Sequence, residues 1–143
     1  MRISTDFKLK ICTMGDLLHK SLSDTILKIY FEVYNELGYG FLEKVYQNAM
    51  YLELKSQGYK VEAQKQIKVY YKSQLVGDYF ADLLIEDSII LELKACGCLL
   101  DEHKAQLLNY LKATDVEIGL LLNFGTTPEF KRSIYTNDRK KLK

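Results

Sequence analysis

The sequence predicts a single α/β (α+β) domain with helices on a central mixed sheet, in the order α-α-β-β-β-α-β. Three observations predict it. Apolar residues recur at helical spacing in two segments between Ser23 and Gly58. From Tyr59 to Lys94 the chain turns to β-branched and aromatic residues broken by short polar turns. A third helical stretch then leads into VEIGLLLNF at 116–124, an apolar run of strand length. Runs of helix and strand in this order pack as helices on a sheet. At 143 residues the chain is read as one domain, 1–143, because domains run to about 100–150 residues and neither half would hold a good core.

Residues 1–20 show no clean period, although Phe7, Leu9 and Ile11 alternate briefly, and are read as an N-terminal arm. Ser23 or Asp24 can cap a helix that buries Ile26, Ile29, Tyr30, Val33 and Leu37 and stops at Gly38. A second helix follows Gly40. Its apolar stripe is Phe41, Leu42, Val45, Ala49 and Leu52, and Ser56-Gln57-Gly58 ends it. The strand-like segment contains three or four antiparallel strands, with turns at Lys72-Ser73-Gln74 and Glu86-Asp87-Ser88. Asp101 can cap a third helix, through about Ala113, with Ala105, Leu107, Leu108 and Leu111 inside. The strand at 116–124, with Gly119 in it, reads as covered on both faces. Residues 128–143 are read as a basic tail carrying Lys131, Arg132, Arg139, Lys140, Lys141 and Lys143.

The composition, 48% apolar and 27% charged with one proline, is that of an ordinary globular protein. A net charge of +1 leaves bulk electrostatics neutral towards a polyanion, so any nucleic-acid binding must come from local patches. No apolar run approaches the roughly 20 residues that cross a bilayer, and the N-terminus lacks a signal-peptide core. No membrane role is expected, and a cytoplasmic setting is. Three cysteines do not make a disulfide framework, which agrees with a reducing compartment.

The chemistry lies in the segment from Ala81 to Lys94, ADLLIEDSIILELK, where two apolar strands flank a short turn and each holds an acidic residue. Glu92 and Lys94 share a face because strand side chains alternate. Asp82 joins them only if the connection has an odd length. A three-residue turn at Glu86-Asp87-Ser88 pairs Ile85 with Ile89 and places Asp82 directly across from Glu92, whereas an even turn sends it to the other face. Two opposed carboxylates repel, so a cation belongs between them. A hard cation, Mg²⁺ or Mn²⁺, suits Asp82, Glu92, a backbone carbonyl such as that of Leu93, and waters. Lys94 can hold the attacking water or neutralise a phosphoryl oxygen in the transition state. The plain alternative is an exposed Glu92–Lys94 surface pair.

Further motifs stand in order around this segment. Gly40-Phe41-Leu42-Glu43-Lys44-Val45-Tyr46 reads G-x-x-E-x-x-Y, preceded by Glu36-Leu37-Gly38 and followed by Gln106-Leu107-Leu108-Asn109-Tyr110-Leu111 and by GLLLNFG at 119–125. With the Asp82 strand and Glu92-Leu93-Lys94, they make the chain, from about Asp24 to Arg132, resemble the GxxExxY family of the PD-(D/E)xK nuclease superfamily. The resemblance implies a restriction-endonuclease-like core, Asp82 and Glu92 as metal ligands, and Lys94 as the catalytic lysine. Glu43 then completes or supports the metal site, and Gln106 and Tyr110 look like the Q-x-x-x-Y element facing it. The chain departs from the family pattern at Tyr34, where His is usual, and at Tyr39, where Pro is usual, which implies local packing changes only.

Cys96-Gly97-Cys98 with His103 could offer soft ligands, but a closed zinc site wants a fourth, and only distant Cys12 is spare. His19 and His103 show no triad partner and are read as surface residues. The expected function is therefore Mg²⁺- or Mn²⁺-dependent hydrolysis of nucleic-acid phosphodiesters, DNA ahead of RNA. The alternative is a catalytically silent module of the same fold that binds nucleic acid or a protein partner. A second copy of the chain is left open as a partner.

Overall fold

The computed structural model describes the backbone of residues 2–140 and the side chains of residues 19–140. Lys141 and Lys143 of the expected tail lie outside the described residues. Helix α1 (Arg2–Leu37) leads to α2 (Glu43–Ser56), then β1 (Val61–Tyr71), β2 (Gln74–Ile85), β3 (Ile89–Lys94), α3 (Asp101–Lys112), β4 (Ile118–Phe124) and β5 (Pro128–Ile134), with a 3-10 turn at Asn137–Arg139. The strands form one sheet in chain order. The pair β3–β4 is parallel and every other pair antiparallel, so the sheet is mixed. The long crossover that a parallel pair requires is α3. No described helix is long and apolar enough to cross a membrane.

Three local expectations are corrected. Ser23 and Asp24 do not start a helix, because α1 runs straight through them and already includes the expected arm from Arg2 onward. Ser23 is buried, and Lys20 and Asp24 pair at 3.0 Å one helical turn apart, which favours continuing the helix across the supposed boundary. Asp101 lies in the first turn of α3 and is not its cap; the N–H of the capping residue Leu100 donates to His103 Nδ1 at 3.1 Å. The segment from Pro128, read as a tail, forms an edge strand whose partner is β4.

The second helix also turns a different face to the core. Tyr46, Gln47, Met50 and Leu54 are buried, while Leu42 is 81% exposed and Val45 and Leu52 are exposed too. The aromatic contact decides this: the Tyr46 ring stacks on Phe124 of β4 at 4.2 Å and 14°, and that large planar burial outweighs the smaller aliphatic stripe. In α3, likewise, Leu107, Tyr110 and Leu111 are buried but Ala105 is exposed.

Two apolar layers result. Helices α1 and α2 pack Ile26, Ile29, Tyr30, Tyr46 and Met50 on one side of the sheet, against Leu83, Leu91, Leu93, Leu120 and Leu122. On the other side α3 packs Leu107, Tyr110 and Leu111 against Ile67, Ala81, Leu84, Ile90 and Leu121. Strand β4 is buried at every residue, as its unbroken apolar run requires. At Gly119 a Cβ would come within 2.6 Å of Leu107, so glycine is what lets α3 lie this close to the sheet.

Candidate active site

The site begins with the turn between β2 and β3. Glu86 and Asp87 take φ of 52° and 54°, Ser88 donates its N–H to Ile85 O at 2.9 Å, and Ile85 pairs with Ile89 across a three-residue connection. Lys60 holds this turn from outside. Its N–H donates to Glu86 Oε2 at 2.6 Å, its carbonyl accepts the Glu86 N–H at 2.8 Å, and its ammonium meets Asp87 at 2.8 Å. Counting back from Ile85↔Ile89 through Leu83↔Leu91 sets Asp82 opposite Glu92.

The ordinary backbone ladder stops there, and side chains replace it. Asp82 N–H donates to Glu92 Oε2 at 2.8 Å, and Leu93 N–H donates to Asp82 Oδ2 at 2.8 Å, so each carboxylate takes an N–H from the other strand. On the far side, Gln64 of β1 sits at φ 53° where it would face Asp82, and its amide donates to the buried Gln47 of α2 at 3.1 Å. The sheet therefore opens at the level of the two acids. That leaves their remaining oxygen lone pairs free of the ladder.

The electrostatics match the geometry. Burial pushes the Glu92 carboxyl up to about 8, the Asp82 charge adds to this, and the Asp82 N–H opposes it. Asp82 is raised as well, first by burial, against the lowering effect of the Leu93 N–H and of Lys94. Lys94 thus lies within electrostatic reach of both acids, but it forms no ion pair within 4.0 Å among the described residues. With Glu92 only 5% exposed, the surface-pair reading fails: the acid is inside and its neighbour lysine is unbridged.

Glu43, the first residue of α2, reaches the site from the other layer, and its charge raises both acids. What places it is Tyr46. The Tyr46 hydroxyl donates to Gly38 O at 2.6 Å and accepts Phe41 N–H at 3.2 Å, which pins the link between α1 and α2 and so the start of α2. Within G-x-x-E-x-x-Y, glycine at φ 112° supplies the bend, glutamate opens the helix and tyrosine ties the bend down. Tyr46→Phe would leave a part-buried carbonyl and N–H unpaired, so a loss of about 1–3 kcal/mol is expected in urea unfolding.

Tyr110 of α3 stands near both acids. Burial, followed by the charges of Glu92 and Asp82, pushes its phenol up to about 12. Gln106, one turn earlier, is exposed, and its side chain makes no hydrogen bond among the described residues. The exit from β3 is held by a residue that lies in the GLLLNFG motif but carried no expected role. Asn123 of β4, paired with Lys94, accepts Cys96 N–H at 3.0 Å through its side-chain oxygen and donates to Cys96 O at 2.9 Å. Its place in the NFG end of an otherwise apolar strand was the available signal. Tyr30 and Tyr34 brace the same region: the Tyr30 hydroxyl donates to Asn123 O, and that of Tyr34 donates to Gly125 O at 2.7 Å.

Among the described residues the cysteine cluster does not gather a metal-binding set. Burial and the neighbouring Cys98 raise the Cys96 thiol, which is unfavourable for a thiolate ligand, and His103 Nδ1 is already engaged by Leu100. The Cys12 side chain lies outside the described residues. Among those residues no three His, Cys, Asp or Glu side chains converge into a metal cage. Two buried, mutually repelling carboxylates with free oxygen lone pairs nonetheless fit a hard divalent cation, the donor chemistry such ions take.

The described geometry can be set beside known proteins. A search of curated proteins finds no match. Among solved structures, the crystal structure of SSO0001 aligns with a TM-score of 0.53 at 20% identity, covering 65% of this chain and 50% of that one. That likeness concerns the fold, and the chain spans about half the length of SSO0001. A family model of the PD-(D/E)XK nuclease superfamily matches residues 20–133, which include every element from the second half of α1 to β5. On that match, and with the mixed five-stranded sheet between helices that goes with it, the chain belongs to the PD-(D/E)XK nuclease superfamily.

Proposed function

We propose that the chain is a divalent-metal-dependent nuclease of the GxxExxY type, hydrolysing a phosphodiester of nucleic acid, DNA ahead of RNA. The observation that carries this reading is the buried Asp82–Glu92 pair at the point where the sheet opens, with Lys94 one strand step beyond Glu92. Asp82 and Glu92 would hold Mg²⁺ or Mn²⁺, with the Leu93 carbonyl as a further oxygen donor and Glu43 in support. Such an ion, when bound, supplies Lewis acidity towards the phosphoryl oxygen and acidifies a bound water. The protein's own part is orientation and charge. The N–H groups of Asp82 and Leu93 hold the two acids in fixed rotamers, and the Lys94 ammonium, in no ion pair among the described residues, is available to an attacking water or a phosphoryl oxygen. Tyr110, which feels the charge of both acids, would meet the substrate, and Gln106, one helical turn earlier on the same face, would join it.

One observation favours a second reading. Because Glu43 does not close a three-carboxylate cage with Asp82 and Glu92, a module that binds nucleic acid or a protein without cutting also fits the fold. Cleavage assays on single- and double-stranded DNA and RNA separate the two. The nuclease reading expects products with Mg²⁺ or Mn²⁺, none with EDTA, and none from Asp82→Asn except with excess Mn²⁺. Binding without cleavage under every metal and substrate gives the silent module instead.

A further inference from the structure

Beside the carboxylates, between the β1–β2 hairpin and α3, lies an open cleft of about 870 Å³. Tyr70 and Tyr79 line it from the hairpin and Tyr110 from the helix, and its charged lining is two lysines, Lys68 and Lys112, against one acid, Asp115. Tyr79 and Tyr110 are in ring contact at 5.9 Å. Tyr110 belongs both to the wall of the cleft and to the surroundings of Asp82 and Glu92, so it stands between the cleft and the candidate site. The hairpin bears exposed aromatic surface out to its tip: Tyr70, Tyr71, Tyr79 and Phe80 all remain accessible.

Exposed aromatic side chains gathered on one hairpin mark a candidate contact surface. Two features choose the partner. The wall offers flat rings flanked by cations, which is the pairing that nucleobases and phosphates require. A cleft of this volume takes a ligand of nucleotide size, and rings stack on bases that are not already stacked and paired in a duplex. The register shifts beside the cleft, where Val69 pairs with Gly77 and Tyr70 with Leu75, so that Val76 of β2 is the extra residue of a bulge and the hairpin bends at this level.

We propose that this cleft is the binding channel for an unpaired strand of the substrate, whose bases stack on Tyr70 and Tyr79 while its backbone passes Lys68 and Lys112 towards the carboxylates. This deepens the nuclease reading and rests on it for direction, but its binding step is independent of catalysis. The substrate class is therefore single-stranded nucleic acid, or the frayed or flap end of a duplex.

The test measures binding in EDTA, where no cleavage occurs, by fluorescence anisotropy with a single-stranded oligodeoxynucleotide and a blunt duplex of the same sequence. The single strand is expected to bind at least about tenfold more tightly. Tyr70→Ala is expected to weaken single-strand binding about 5- to 150-fold, the range for one lost stack, while Tyr70→Phe keeps it. Lys68→Gln is expected to flatten the salt dependence of log K by about 0.7. Circular dichroism and the sedimentation profile of each variant check that it folds and keeps its association state. Equal affinity for blunt duplex, or full single-strand affinity in a folded Tyr70→Ala, overturns the proposal. So does a Tyr70→Ala that turns a dimer into a monomer, which would make the hairpin a contact between copies of the chain. Failure of metal-dependent cleavage with single-strand binding intact would remove the nuclease reading and leave the channel standing.

Discussion

Lys94→Ala is expected to leave nucleic-acid affinity within roughly tenfold, about 1.4 kcal/mol, while metal-dependent cleavage falls at least about a hundredfold. Lys94 reaches both acids electrostatically yet makes no ion pair among the described residues, so its removal should neither unfold the sheet nor release a bound partner. A cation that earns its effect only as negative charge grows on the phosphate lowers the barrier without tightening ground-state binding. The check is paired: single-turnover cleavage with saturating enzyme and Mg²⁺, and anisotropy with the same oligonucleotide in EDTA. Equal losses in both would assign Lys94 to uniform binding. Cleavage that survives would place the chemistry elsewhere.

Glu92→Gln is expected to abolish cleavage and, in the metal-free protein at neutral pH, to raise stability. The amide oxygen can still accept the Asp82 N–H, and the neutral side chain has no proton to take up on folding. The sign follows from the carboxyl being pushed from 4.5 up to about 8, chiefly by burial. Between those values the folded chain holds a proton that the unfolded chain has released. Wild-type stability therefore falls as pH rises through that window and levels off above about 8. At pH 7 the gain from Glu92→Gln should be on the order of 2 kcal/mol, from 1.36 kcal/mol per pH unit discounted for shared titration with Asp82. Urea midpoints in EDTA from pH 5 to 9 measure it: the wild-type midpoint drops across the range and that of the variant changes much less. Added Mg²⁺ should then stabilise the wild type by mass action and leave the variant unmoved. A variant less stable than wild type at every pH would mean that the Glu92 charge is compensated by groups other than those named.

Several decisive features were legible in the chain. The length of the Glu86-Asp87-Ser88 turn set the parity of the hairpin, and parity alone brings Asp82 across from Glu92, because strand side chains alternate with a strict period of two. Gly38 ended α1 at φ 68°, with its N–H on Tyr34 O at 2.8 Å, and the unbroken apolar run of β4 announced a strand buried on both faces. These are local rules, in which the residue and its near neighbours hold the whole cause.

Elsewhere the cause was distant in sequence. The apolar stripe of α2 suggested Val45 and Leu52 as core, and only the ring of Phe124, from the far end of the chain, turned Tyr46, Met50 and Leu54 inward instead. The start of α1 carried no periodic signal, and β5 gained strand structure only from the edge that β4 offered it. Asn123 became the clamp behind Lys94, and the Glu92 carboxyl was pushed up from its ordinary range, only when packing removed water from them. The sequence by itself determined which residues could share a strand face, because alternation is a property of the backbone. Tertiary structure decided which faces were buried and what charge they carried, because desolvation belongs to the assembled layers and to no single segment.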